Sequence, residues 1–236
     1  MNAFDQSVVT FVNSFAQRST TFDRLVVFHT HQPLLQGTFA MTVYWWGWFR
    51  RGKHDERNEH SQLLATLAGA FIAFLLGRLL ALTLPFRLRP MYDPALHLTP
   101  PFGMEANDFR LWSSFPSDHA MLFFALAFGL SFVTRRAGLI LLIHAALIVC
   151  LPRIYLGLHY PTDIITGALI GVATVAVVML PAIRLPLTRP FLAWHDRRPG
   201  TFYAAMFLLS VELASMLQGP RALIEMLHSL TGRHRI

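Results

Sequence analysis

Between residues 62 and 85 the chain carries a single charged side chain, Arg78. About 20 helical residues cross the hydrocarbon core of a bilayer, so this run is long enough to span one. Further apolar runs occupy roughly 33–49, 117–134, 138–151, 162–181 and 201–217. The composition agrees, with 54% hydrophobic and only 14% charged residues in 236 and a mean hydropathy of +0.44. A soluble domain of this size carries more charge. The runs predict an all-α, polytopic membrane helix bundle with about six transmembrane helices. With no internal repeat or low-complexity segment, residues 1–236 read as one domain.

Charge orients the bundle. Arg50, Arg51, Lys53 and Arg57 follow the first run, Arg135 and Arg136 the third, and Arg184, Arg189, Arg197 and Arg198 the fifth. The positive-inside rule makes these three loops cytoplasmic, which puts both termini outside. Arg18, Arg24, Arg221, Arg233 and Arg235 run against that rule. The net charge of +7 therefore reflects orientation and anionic lipid rather than nucleic acid. Tyr44, Trp45, Trp46, Trp48 and Phe49 read as an aromatic belt at a membrane face. Phe4, Val8, Phe11, Val12 and Phe15 recur at helical spacing. They predict an N-terminal amphipathic helix, lying in the membrane interface or packed on the bundle. The short apolar run Leu25–Phe28 cannot cross and is assigned to the interface. No cleavable signal peptide is expected in residues 1–17, which lack a basic start followed by an apolar core. A lone cysteine, Cys150, excludes an intrachain disulfide and a Cys-rich metal site.

This topology places two polar stretches, 86–119 and 152–163, on the same outer face. In the second, Arg153, His159 and Asp163 are spaced Arg-x5-His-x3-Asp. Pro161 suits a first helical position, which puts His159 just before a helix and Asp163 in its first turn. Asp163 can then bond one imidazole nitrogen of His159 and leave the other free to attack. Arg153 supplies a planar cation suited to phosphate oxygens. In the first stretch Ser117 is a candidate N-cap, and the helix it opens favours an anion at its start. His119, in the first turn, is placed to act as a general acid. Arg87 and Arg89, before Pro90, are candidate phosphate ligands or interfacial anchors. Arg78, His144 and Glu212 stand inside apolar runs, where ionisable residues are costly. Arg78 leads toward the site, Glu212 is a candidate partner for it or for the lining of a polar groove, and a neutral ring bonded to a backbone or hydroxyl group suits His144. Two histidines and an aspartate could suggest zinc, but no His-Glu-x-x-His spacing supports it, and the arginines argue against a cation. No metal and no cofactor are expected.

Arg89-Pro90, then Pro116-Ser117-x-His119, then Arg153-x5-His159-x3-Asp163 resemble the three motifs of the type 2 phosphatidic acid phosphatase superfamily, over roughly residues 62–181. Two positions depart from them: Leu82 stands where the first motif has Lys, and Pro152 where the third has Ser. Arg87 or Arg78 is a candidate substitute for the missing Lys. The resemblance implies a metal-free, two-step mechanism. In it His159 becomes a phosphohistidine, Asp163 orients it, His119 protonates the leaving group, and Arg89, Arg153 and Ser117 bind phosphoryl oxygens. Residues 115–119 and 157–163 look most like the bacitracin-resistance type of undecaprenyl-diphosphatase. That likeness implies a lipid phosphate substrate, contact with membrane lipids and a site on the outer side of a bacterial inner membrane. Phosphatidate, phosphatidylglycerophosphate and lipid A phosphate are the alternative substrates. A transporter or scaffold without turnover and a vanadate-dependent haloperoxidase are the readings from other classes. The sequence leaves the oligomeric state open.

Overall fold

A computed structural model describes residues 2–32, 34–50, 55–104 and 112–216. Arg51, Lys53 and the tail arginines Arg221, Arg233 and Arg235 lie outside the described residues. Among the described residues every regular element is helical. Three helices are long and apolar enough to cross a membrane. They are α4 (Glu56–Thr83), the continuous run Arg135–Tyr155, and α8 (Pro161–Val178). The apolar helices α5 (Asp118–Ser131) and α10 (Pro199–Ala214) are shorter, as is α3 (Phe39–Phe49), which a π-helical turn at Leu34–Thr38 precedes. The six expected apolar runs are thus all helical, and three of them have bilayer length by themselves.

The centre of the bundle is α5, packed between α4 and α8. Its neighbours approach closely because glycines face it. A Cβ on Gly167 would stand 2.5 Å from the Ser117 carbonyl oxygen, and one on Gly171 2.2 Å from that of Met121. Gly167 and Gly171 are four residues apart on one face of α8, the spacing that lets membrane helices touch backbone to backbone. This contact fixes the two helix starts together, and the Ser117 N–H donates to the Asp163 carbonyl oxygen at 3.2 Å.

The run Arg135–Tyr155 consists of α6 (Arg135–Ile143), a π-helical segment His144–Cys150 and α7 (Leu151–Tyr155). Pro152 explains the wider turn. It has no N–H for the Ile148 carbonyl one turn earlier. That carbonyl instead accepts from His29 Nε2 at 2.8 Å, and the neighbouring Val149 carbonyl accepts from Arg153 Nη1 at 2.9 Å. His144 Nε2 likewise donates to the Leu35 carbonyl at 3.0 Å, a structural use of an in-span histidine.

Three expectations need correction. The basic stretch 184–198 is a helix, α9 (Pro181–Arg197), rather than a loop. It is held to α4 by a buried Ser61–Thr188 hydroxyl pair at 2.8 Å and by Arg184 donating to Asn58 at 2.8 Å. The aromatic stretch of α3 is divided: Trp46 and Phe49 are exposed, but Tyr44 and Trp48 are core residues. There the Trp48 indole donates to the Tyr203 hydroxyl and stacks on His60. Glu212 does not pair with Arg78, whose partner is Asp118 at 2.7 Å.

The N-terminal segment forms two helices, α1 (Ala3–Asn13) and α2 (Thr20–His31), both packed against α7. Asp5 and Val9 of α1 face inward, while Phe4, Phe11 and Phe15 are exposed. The helix is thus packed on the bundle through Asp5, Val9 and Val12, and its phenylalanines form an exposed apolar face. Asn13 and Gln17 also clasp the connection from α4 to α5 by bonding Thr99 and Pro100. The basic elements gather at the far end, where Arg50 pairs with Glu59 and Arg57 with Asp196.

Candidate active site

The two polar stretches meet at one end of the bundle. After α7 the chain turns on Gly157, whose φ of +65° is the left-handed conformation that glycine adopts without a side-chain penalty. The Gly157 carbonyl accepts from the Met91 N–H at 2.9 Å, tying this turn to the first stretch. The Arg153 carbonyl takes the Leu158 and His159 N–H groups at 2.8 and 3.3 Å, so His159 is held by its own backbone. Pro161 then opens α8, and Asp163 Oδ2 caps it by accepting the Tyr160 N–H at 2.9 Å.

His159 is almost fully buried, and its Nδ1 lies 2.8 Å from the Ser114 carbonyl oxygen. A carbonyl only accepts, so this contact assigns the proton to Nδ1 and leaves the Nε2 lone pair free. Asp163 Oδ2 is 3.6 Å from Nδ1, beyond hydrogen-bond length. The expected Asp–His bond is therefore replaced by a backbone carbonyl, with the carboxylate as a nearby charge. Burial pushes the His159 pKa down; the Asp163 and Asp118 carboxylates oppose the shift and the Arg89 guanidinium adds to it.

His159 lines a cavity of about 270 Å³ together with Arg78, Arg89, Trp112 and Asp118. Arg89 Nη1 donates to the Leu158 carbonyl at 2.9 Å and its Nε to that of Trp112 at 3.2 Å, and burial lowers its pKa. Asp118 accepts from Arg78 with one oxygen and from His119 Nδ1, at 2.8 Å, with the other. The His119 ring is thus oriented with Nε2 available, and Arg153 and His159 are its electrostatic neighbours. Ser117 caps α5 by accepting the Ala120 N–H at 3.4 Å. Arg153 is buried, with Nη2 donating to Gln36 Oε1 at 3.0 Å. Ser117, His119, Arg153 and Asp163 stand around the cavity without forming its wall. Arg87 is placed apart from it, bonded to Asp5, Thr162 and Asp163. A larger cavity of about 490 Å³ lies at the opposite end, between α4 and α9, and includes none of the motif residues.

Residues 59–184 match the PAP2 superfamily. The chain belongs to that superfamily. It is accordingly a membrane phosphatase, since PAP2 members are phosphatases. It is 26% identical over 187 residues to the bacitracin transport permease protein BcrC of Bacillus licheniformis, covering 79% of this chain and 85% of that one. Over 162 residues it is 25% identical to the undecaprenyl-diphosphatase BcrC of Bacillus subtilis strain 168, covering 68% and 75%. The solved PAP2-type phosphatidylglycerolphosphate phosphatase of Bacillus subtilis aligns with 75% of this chain and 85% of its own, at 21% identity and a TM-score of 0.46.

Asp5, Ser114, Gln36 and Asp118, which motif reading did not single out, are hydrogen-bonded to the candidate residues Arg87, His159, Arg153 and His119 respectively. Asp118 stands beside a motif histidine, so a local signal existed. The other three act across long stretches of chain. Among the described residues no group of three His, Cys, Asp or Glu side chains is arranged to hold a metal ion.

Proposed function

We propose that the protein hydrolyses a lipid diphosphate, undecaprenyl diphosphate first among candidates, to the lipid monophosphate and inorganic phosphate through a phosphohistidine on His159. The observation that carries this reading is a buried, Nδ1-protonated His159 on the wall of a small cavity that also holds two arginines. His159 Nε2 forms a bond to the terminal phosphorus as the bond to the bridging oxygen breaks. His119, carrying a proton on each nitrogen once the anionic substrate is bound, gives that oxygen the one on Nε2 and keeps the Nδ1 proton hydrogen-bonded to Asp118. It then takes a proton from water, whose oxygen attacks phosphorus; the N–P bond breaks, and phosphate leaves. Arg89, Arg153, Ser117 and the start of α5 stabilise the phosphoryl oxygens. Asp163 stabilises the charge that His159 acquires. No metal or cofactor takes part.

Arg78 takes the place of the missing motif Lys. Leu82 occupies the Lys position, is 79% exposed and lines the cavity with Ala81, Leu84 and Phe86. Arg78 lies four residues earlier, on the same face of α4 one turn deeper, and its Nε is buried without a partner. The charge is thus supplied from below and the mouth is left apolar, which suits a lipid chain. Arg78→Ala is expected to lower kcat/KM by roughly a hundredfold, as for loss of one charged phosphate contact. Adding Leu82→Lys to that variant should restore part of the loss. An Arg78→Ala enzyme of unchanged kcat/KM contradicts the assignment.

A desolvated His159 also sets a pH dependence. Its lowered pKa keeps the ring neutral below the ordinary histidine value, and the stability it contributes is lost only as pH falls below that value. The acid limb of kcat/KM, which reports the free enzyme, is therefore expected to have its midpoint below about 6.5. A midpoint above that value contradicts a buried neutral nucleophile.

The gathering of basic residues at the far end supports a site on the outer side of a bacterial inner membrane. Residues 1–236 act as one domain in this reading. Phosphate release by detergent-purified protein, with EDTA present and with undecaprenyl diphosphate and phosphatidate in parallel, tests the proposal. Release from the diphosphate supports it. Release from phosphatidate alone moves the substrate to glycerolipids, and release from neither contradicts both.

A further inference from the structure

The N-terminal helix reaches the catalytic end through one wholly buried carboxylate, Asp5. Asp5 accepts from Arg87 Nη2 at 2.6 Å, from the Thr162 hydroxyl at 2.6 Å and from the Thr162 N–H at 3.0 Å. Arg87 Nη1 crosses to Asp163 Oδ1 at 2.5 Å, and the guanidinium lies over the Tyr160 ring. The other Asp163 oxygen is the one that faces His159. Asp5, Arg87 and Asp163 therefore form a carboxylate–guanidinium–carboxylate row that ends at the nucleophile.

The row carries one net negative charge. Without Asp5, the positive charge of Arg87 would oppose that of Asp163 and draw its carboxylate away from His159, whose phosphorylated ring is cationic. Asp163 stands nearest the imidazole, at 3.6 Å, and Asp5 offsets the guanidinium that would otherwise weaken its field there. We propose that Asp5 is a positioning residue of the phosphatase: it neutralises Arg87, so that Asp163 stays oriented and keeps its charge for His159. This inference rests on His159 being the nucleophile. The other charged groups facing His159 are Arg89 from the connecting stretch and Asp118 from α5, with Arg78 of α4 on the same cavity wall and Arg153 of α7 beside His119. The row adds α1 to these, an element outside the matched region 59–184.

The test uses the full chain in detergent with the Asp5→Asn, Arg87→Gln and doubly substituted variants. Two readouts are taken: kcat and KM on undecaprenyl diphosphate, and the titration of His159 by NMR of ¹⁵N-histidine-labelled protein. Asp5→Asn is expected to lower kcat about tenfold while KM changes by less than about twofold. It should also move the His159 titration down by about one pH unit. Arg87→Gln should move it up, and the double variant should return toward the parent. A role confined to folding would lower thermal stability and leave the titration in place. A folded Asp5→Asn with the parent titration overturns the proposal. If Asp5→Asn does not fold, an unmoved titration in Arg87→Gln overturns it equally. Should the parent release no phosphate from this lipid, the substrate reading fails, while the titration still decides the role of Asp5.

Discussion

Replacing His159 by Gln is expected to reduce phosphate release at least about ten-thousandfold, because the nucleophile itself is removed rather than a contact that tunes it. Gln is the informative choice. His159 is buried, and its Nδ1–H satisfies the Ser114 carbonyl, so an apolar replacement would leave that carbonyl unpaired and confuse folding with chemistry. A Gln amide can donate to the same carbonyl but has no lone pair suited to attack phosphorus. The variant should therefore unfold near the parent temperature, bind lipid phosphate and fail to turn it over. His119→Gln should be less severe, since His119 moves a proton that water can carry in part. Phosphate release, with thermal unfolding alongside, checks the order of the two. A His159→Gln protein that retains more than about one per cent of parent activity would remove the covalent step from the mechanism.

The second large effect lies away from the chemistry. Gly171→Leu is expected to cost about 3 kcal/mol of stability and most of the activity. A side chain at this position starts 2.2 Å from the Met121 carbonyl oxygen, a distance that backbone must relieve by moving. The movement separates α8 from α5, and these two helices carry Asp163 and Ser117, whose backbones are bonded at 3.2 Å. Catalytic groups tolerate displacements of much less than about 1 Å before rates fall strongly. Thermal unfolding and phosphate release on the same preparation measure both parts. Gly200→Leu is the control, since a Cβ there meets nothing within 4 Å and should leave both values unchanged.

Local chemistry made much of this site legible in advance. Ser117 precedes an apolar run and caps it; Pro161 opens a helix and puts Asp163 in its first turn. Each inference needed only a few consecutive residues. The bond from His159 to Ser114 crosses 45 positions, and it displaced the expected bond to Asp163 because nothing local reports which acceptor a ring will meet. Asp5 was hidden for the same reason: one acid in an amphipathic helix reads as part of the polar face until its partner 82 positions away is known. The α9 helix was obscured by Pro186 and Pro190, which argue against helix locally and are outweighed by the packing of Thr188 and Leu192. Pro152 read as a departure from a motif, and its consequence, the Ile148 carbonyl released to His29, depends on a residue 119 positions away.

The central claim is that phosphate passes through His159 without a metal. The most direct measurement is rapid quenching of the enzyme with terminally ³²P-labelled undecaprenyl diphosphate in EDTA, followed by mapping of the labelled peptide. The account predicts label on His159 that is stable in alkali and lost in acid, absent from His159→Gln and longer-lived in His119→Gln. Phosphate release at the parent rate with no label on His159 would contradict it.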